Sequence, residues 1–258
     1  MTQETAGSKI INPFDVAPMC DFDAFELVVR SRRSVRVFDG QAVPESVMDR
    51  CLDLALLAPN SSNLQPWQFF WVRDTKIKAQ LVEACFSQRA ASTAGELVVC
   101  VARTKTWKHN ATQMLKRIDE NEKQGHKIPA SLRLYYTKVV RFAYETGPLG
   151  LFGPVKKLLI TLVGLFRPVP REPAYESELK TWAVKSTALA CENFMLSLRA
   201  AGYDSCAMEG LDSARVKSML KLPGDAQIVM CVAAGKRAAG GVFGSQIRFP
   251  REQFVIKV

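Results

Sequence analysis

Apolar residues recur along this chain at two spacings, and the switches between them lay out its elements. Asp21 to Arg32 carries Phe22, Phe25, Leu27 and Val28 at helical spacing, which predicts a first helix with those four as core contacts. A second helix starts at Pro44-Glu45, where proline is tolerated in the first turn, and should end near Ala58-Pro59. Its apolar positions are Val47, Met48, Cys51, Leu52, Leu54, Ala55 and Leu56. Gln68 to Val72 is aromatic and branched and reads as a strand. Lys76 to Ala90 reads as a helix through Ile77, Leu81, Val82 and Cys85, and Glu96 to Arg103 as a buried strand.

The character then changes. Lys105 to Lys127 is charged and polar, and predicts helix at most in part. Leu132 to Tyr144 predicts an amphipathic helix through Leu134, Tyr135, Val139, Phe142 and Ala143. Glu145 to Pro173 is apolar yet punctuated by glycine and proline. Its longest uncharged run, Leu158 to Phe166, is far short of the ~20 residues a spanning helix needs. Regular pattern resumes at Glu176 to Ala201, a helix through Leu179, Trp182, Ala183, Ala190, Phe194 and Leu198, stopped by Gly202. A short strand (Cys206 to Met208), a short helix (Ala214 to Leu220) and an apolar strand (Gln227 to Gly235) follow. Gly240, Gly241 and Gly244 mark a loop before an extended C-terminal segment, Phe254 to Val258. The pattern predicts an α+β chain with a central sheet sandwiched by helices. We expect one domain over residues 1–258, with an N-terminal arm (about 1–20) and an insertion (about 105–175).

Composition narrows the chemistry. A chain of 258 residues with 48% hydrophobic content can bury a full core. The net charge of +10 suits nucleic acid, an anionic membrane surface or anionic cofactors. No zinc-finger, RNA-recognition or basic-zipper signature accompanies it, so a nucleic-acid partner is not expected. The seven cysteines are scattered, mostly within apolar runs, and none forms a CxxC pair. That reads as reduced thiols in a cytoplasmic protein. With only His109 and His126 as histidines, a metal site is not expected. The first residues lack a charged segment followed by an apolar core, so no secretory peptide is expected.

Two polar clusters flank the second helix. In front of it, Arg32, Arg33, Ser34 and Arg36 place three guanidiniums and a hydroxyl within five residues, a set suited to phosphate oxygens. Arg-rich patches are, however, often only solvated. Behind it, Asn60, Ser61, Ser62, Asn63 and Gln65, closed by Pro66-Trp67, offer donors and acceptors to a planar heteroaromatic edge. The same residues also make ordinary polar turns.

Taken together, the Arg-Arg-Ser-Val-Arg segment and the Ala58-to-Trp67 segment resemble the nitroreductase family of FMN-dependent oxidoreductases. Met208 to Asp212, with Leu222-Pro223 after the next helix, looks like that family's second flavin segment, and Gln246 to Pro250 its C-terminal phosphate-contacting stretch. The four motifs lie within residues 25–103 and 180–258. By this resemblance Arg32, Arg33, Ser34 and Arg36 hold the FMN phosphate and ribityl chain, with Arg248 as a last phosphate contact. Asn60, Ser61, Ser62 and Asn63 belong to the segment that meets flavin from the neighbouring subunit, although a turn-structuring role suits Asn63 and Gln65 equally. Glu209 and Gly210 match residues beside the isoalloxazine ring. Where relatives often carry Lys two residues before the last Arg, this chain has Gln246, for which Lys236 or Arg237 could compensate.

The resemblance implies a mixed or antiparallel sheet flanked by helices, with flavin at a homodimer interface. It implies NAD(P)H as co-substrate and a nitroaromatic, quinone or other conjugated acceptor, with no side chain needed as acid or base. Specialised reductive dehalogenation, flavin cleavage, and a non-enzymatic basic binding module are the alternatives. No Rossmann fingerprint is present to choose NADH or NADPH. Residues 105–175 match the family least. They could form a lid whose Tyr135, Tyr136, Phe142, Phe152 and Phe166 line an apolar slot. They could equally pack on the body or the partner subunit, or set residues 145–171 against an anionic membrane surface.

Overall fold

The longest apolar runs become the two inner strands of one sheet. In a computed structural model, which describes residues 18–258, strand β1 (Trp67–Trp71) pairs with β2 (Glu96–Arg103). β2 pairs with β4 (Ala226–Gly235), and β4 with β3 (Asp204–Met208). The order is β1-β2-β4-β3, and all three pairings are antiparallel. The fold is therefore α+β, built on an antiparallel sheet.

Both faces of that sheet are covered, which is why β2 and β4 read as continuous apolar runs rather than alternating ones. One face of β2, Leu97, Val99 and Val101, packs with Cys231 and Ala233 against helix α3 (Thr75–Ala84) and α10 (Ser213–Met219). The alternate residues, Val98 and Cys100, pack with Met230, Val232 and Ala234 against α2 (Glu45–Leu56) and α9 (Glu176–Ala200). This is the two-residue period of a strand seen in packing. Phe194 of α9 is fully buried there, and burial of such a side chain contributes roughly 1.5–3 kcal/mol.

Four elements differ from expectation. Lys76 to Ala90 is not one helix: α3 stops at Ala84, and a short α4 (Arg89–Ser92) follows a turn in which Phe86 (φ 57°) and Ser87 (φ 50°) are left-handed. Lys105 to Lys127 is more helical than its polarity suggested, because α5 spans Trp107–Lys123. Three buried residues, Trp107, Ala111 and Ile118, suffice to anchor it. Around Leu132 to Tyr144 the expected helix is present, α6 (Ala130–Leu134) running into α7 (Val140–Tyr144) through a π-helical segment over Tyr135–Val139, but its buried face differs. The inward face is Tyr136, Val140 and Tyr144, while Leu134, Val139 and Phe142 are exposed. Finally, α1 (Phe22–Ser31), capped by the Asp21 carboxylate, has no buried residue, so Phe22, Phe25 and Leu27 face outward. The expected N-terminal arm lies mostly outside the described residues.

Within the insertion, α8 (Phe152–Val163) turns Gly153, Lys156 and Ile160 inward. α5, α7 and the first half of α9 share a core of Trp107, Tyr136, Val140, Tyr144, Leu179 and Trp182. No helix among the described residues is long and apolar enough to cross a membrane. All seven cysteines are free, and only Cys20 is exposed.

Candidate functional site

Backbone hydrogen bonds bring the front arginine cluster to the sheet edge. Ser34 forms a parallel bridge with Ser205 of β3, and the Val35 amide donates to the Ser205 carbonyl at 3.1 Å. The next amide, that of Arg36, donates to the Gly241 carbonyl at 2.7 Å. A Cβ on Gly241 would lie 2.4 Å from the Val37 carbonyl oxygen, so only glycine permits this approach. Residues 242–248 are thereby folded back over the arginines. The result is a pocket of about 330 Å³ lined by Arg32, Arg33, Ser34, Arg36, Gln246 and Arg248, among others.

Four guanidiniums thus share one small pocket. Arg33 donates to the Gly244 carbonyl, and Arg248 to the Ile247 carbonyl at 2.7 Å. Among the described residues the only carboxylate within 4.0 Å of these four is Glu192, whose Oε1 is 3.7 Å from Arg32 Nε. The pocket is short of negative charge by several units, which fits a phosphate dianion. The two cations that could compensate for Gln246 are engaged elsewhere. Arg237 is committed to Asp204 through bonds of 2.7 and 2.5 Å, Lys236 donates to the Gly202 carbonyl at 2.7 Å, and neither lines the pocket.

Glu209 and Gly210 follow the last residue of β3, the strand that Ser34 borders. Gln88 Nε2 donates to the Gly210 carbonyl at 3.2 Å, and the Asp212 amide to Ala84 at 2.8 Å. A Cβ on Gly210 would meet no heavy atom within 4 Å, so the backbone here is open to close approach by a ligand. Gln88 was not singled out from the sequence, because its role depends on the left-handed turn at Phe86-Ser87.

The Asn60-to-Gln65 turn is a separate structure. Ser62 (φ 60°), Asn63 (φ 47°) and Gln65 (φ 45°) are all left-handed without being glycine, at about 1–3 kcal/mol each. Side chains hold them there. Asn60 Oδ1 accepts from the Gln65 amide at 2.8 Å, and Asn110 donates to the Leu64 carbonyl at 2.7 Å. Three tyrosines of the insertion close over the turn. Ser62 Oγ meets Tyr135 Oη at 2.7 Å and Tyr144 Oη at 3.1 Å. Tyr136 donates to the Ser62 carbonyl at 3.0 Å, and Tyr144 to Ser61 Oγ at 3.2 Å. Burial pushes the Tyr144 phenol up, outweighing its two serine hydrogen bonds, so it stays protonated.

Of the five aromatic residues expected to line an apolar slot, Tyr136, Phe142 and Phe152 do line one cavity of about 760 Å³, together with Trp107 and Leu159. Tyr135 and Phe166 do not; Tyr135 is held by Ser62, and Phe166 is 89% exposed.

The chain thus sets a cationic pocket beside a sheet edge and an open glycine loop after the same strand of an α+β fold. The nitroreductase family model matches residues 29–236, and the chain belongs to the nitroreductase family. The chain is 26% identical over 216 residues to Protein DrgA of Synechocystis, covering 83% of this chain and 84% of that one. It is 28% identical over 225 residues to a Thermus thermophilus NADH dehydrogenase, covering 87% and 91%. Among solved structures, the Bacillus subtilis nitroreductase-type protein ydfN superposes with a TM-score of 0.73 at 22% identity, covering 92% of this chain and all of that one. A nitroreductase-type protein from Exiguobacterium sibiricum, solved in complex with FMN, gives 0.66 at 24% identity, covering 91% and 97%.

Proposed function

We propose that this chain is an NAD(P)H-dependent FMN oxidoreductase that passes electrons to a nitroaromatic, quinone or other conjugated acceptor. The observation that carries it is the convergence of Arg32, Arg33, Arg36 and Arg248 on one pocket, with Glu192 beside Arg32 the one carboxylate within 4.0 Å of them among the described residues. Those guanidiniums and the Ser34 hydroxyl would hold the phosphate end of FMN. Glu209 and Gly210 would flank the ring. The Asn60, Ser61, Ser62 and Asn63 turn of a second protomer would close the site from the other side. Bound FMN supplies the electron carriage between donor and acceptor. The protein then binds and orients, and its cations lower the energy of added negative charge on the ligand. No side chain is assigned as acid or base.

A homodimer is part of this reading. In the single chain, Phe22, Phe25 and Leu27 of α1, Leu54 of α2 and Leu57 just after it, and Ile247, Phe249, Phe254 and Ile256 near the C-terminus are all exposed. Exposed apolar residues on three such segments are what a partner subunit would cover.

A surface contact through residues 145–171 is also favoured by one observation. On α8 the buried cation Lys156 points inward, whereas Val155, Leu158 and Leu162 point outward, followed by exposed Leu165 and Phe166. Lys157, Arg167 and Arg171 flank this face, and residues 146–171 contain no carboxylate. That combination suits an anionic bilayer surface.

The experiment is the visible spectrum of purified protein, repeated after anaerobic NADH or NADPH. Flavin bands that bleach with a nucleotide and return on adding a quinone or nitroaromatic are expected. A colourless protein that FMN cannot reconstitute would overturn the reading, and flavin that fragments in air would redirect it to flavin cleavage.

A further inference from the structure

The 760 Å³ cavity lies inside the insertion, walled by α5, α7 and α8, and the flavin reading leaves it without a role. Its floor is Trp107, Ala111 and Tyr136, each no more than 5% exposed, and its rim is Phe142, Phe152, Val155 and Leu159. A volume of this size with aromatic walls is typical of small-molecule sites. Three cations, Lys108, Arg141 and Lys156, and one carboxylate, Glu145, contribute to the lining.

The charges are not balanced. Lys108 Nζ lies 2.6 Å from Glu145, so that carboxylate is taken, and the Gly147 amide also donates to it at 3.2 Å. Lys156 is 5% exposed and has no carboxylate within 4.0 Å among the described residues. Among the described residues its ammonium donates to the carbonyls of Ala143 (2.9 Å) and Pro173 (3.3 Å), and it lies 5.9 Å from the Phe142 ring centroid. A second apolar cavity of about 290 Å³, lined by Val139, Ile160 and Val163, also touches Lys156. A buried ammonium with no carboxylate in contact is costly, and burial lowers its pKa more than the charges of Glu145 and Glu178 raise it. An apolar wall on each side of one buried cation that no carboxylate touches suits a ligand that brings its own anion.

We propose that this cleft binds an amphipathic anion, an aromatic or aliphatic body carrying one carboxylate, sulfonate or phosphate group, with its head on Lys156 and its body against Trp107, Tyr136 and Phe142. The cleft shares no lining residue with the basic pocket, and its ligand binding is testable whether or not the protein binds FMN.

The test compares anilinonaphthalene sulfonate with N-phenyl-1-naphthylamine, which has the same aromatic body and no charge. Wild-type protein is expected to bind the sulfonate at one site, at least tenfold tighter than the amine. Lys156→Met should remove that preference while leaving the amine's affinity unchanged. Because Lys156→Met can fail to fold, Leu159→Glu at the half-exposed rim serves as a second variant, weakening the sulfonate by repulsion and sparing the amine far more. Equal binding of both probes by wild type, or sulfonate binding unchanged in a folded variant, would overturn the proposal. Displacement by monomeric decanoate identifies a free acid as the source of the head group, and displacement by phosphatidylglycerol vesicles alone identifies a lipid.

Discussion

Tyr135 Oη lies 2.7 Å from Ser62 Oγ, although 73 residues separate them in the chain. Tyr144 reaches the same hydroxyl at 3.1 Å, so one serine is shared by the middle and the C-terminal end of the α6–α7 helical stretch. The insertion therefore supports the strained Asn60-to-Gln65 turn rather than merely lying beside it. Tyr135→Phe and Tyr144→Phe should each destabilise the protein by about 1 kcal/mol. The double variant should depart from additivity, because both lose the same partner. Thermal melts measure the first effect and FMN titration the second, with affinity expected to fall a few-fold. A double variant that melts and binds FMN like wild type would leave the turn self-supporting.

The phosphate assignment separates cleanly from the ring assignment. Arg36 and Arg248 line the basic pocket and form no ion pair among the described residues. Losing a charge-assisted hydrogen bond costs about 1.5–3 kcal/mol, so Arg36→Met or Arg248→Met should weaken FMN roughly ten- to a hundred-fold. Riboflavin lacks the phosphate and should bind variant and wild type alike. If riboflavin weakens in parallel, the arginines shape the pocket instead of holding its anion.

Much of this architecture was legible in the chain, for reasons that differ by element. β2, β4 and α9 carry dense apolar patterns, and their bounds fall within a residue or two of expectation. α5 was obscured because only Trp107, Ala111 and Ile118 reach the core from a helix otherwise rich in Lys, Glu and Asn. The α6–α7 stretch carries two apolar stripes. Tyr136, Val140 and Tyr144 go inward partly because Tyr136 and Tyr144 find partners at Ser62 and Ser61, which helical spacing cannot reveal. In the candidate site, the Arg32–Arg36 cluster was visible as a cluster, but its meeting with Arg248 depends on Gly241 folding the C-terminal segment back. Residue spacing carries no trace of that; only the family resemblance did. The exposed faces of Phe22 and Phe25 show the opposite limit, since an apolar helix face says it will be covered but not by which chain.

Asp204 supplies a pH dependence whose sign follows from its partners. Its side chain is 4% exposed and binds Arg199 at 2.8 Å and Arg237 at 2.7 Å. Burial alone would raise its pKa, but the hydrogen bonds from Arg237 and Arg199 outweigh burial and hold it below the usual carboxylate range. A depressed acid stabilises the fold fully above its unfolded value, near pH 4, and that contribution is lost as pH falls through the lower folded value. The melting temperature should therefore drop steeply below about pH 4 in wild type and less steeply in Asp204→Asn. At neutral pH, Asp204→Ala leaves the partly buried Arg199 and the exposed Arg237 unpaired and should cost about 2–3 kcal/mol, less than a fully buried pair because water reaches Arg237. Equal acid slopes for wild type and Asp204→Asn would assign the transition to other carboxylates, with Asp225, paired to Arg103 at 3.0 Å, the next to replace.

The outward face of α8 yields a prediction in which stability and binding move apart. Leu158 is 61% exposed and Leu162 50%, so replacing both with aspartate removes little buried area and should leave the melting temperature nearly unchanged. If that face meets a bilayer, wild-type protein should co-sediment with phosphatidylglycerol vesicles and only weakly with phosphatidylcholine. Lys157, Arg167 and Arg171 would each contribute about 1 kcal/mol near an anionic surface, and this part should fade as salt is raised. The double variant should lose sedimentation at every salt concentration, because it removes the apolar contact and adds repulsion. Wild-type protein that never pellets would end the membrane reading and leave the outward leucines to a protein partner. In that case the same two aspartates should change the oligomeric state measured by light scattering.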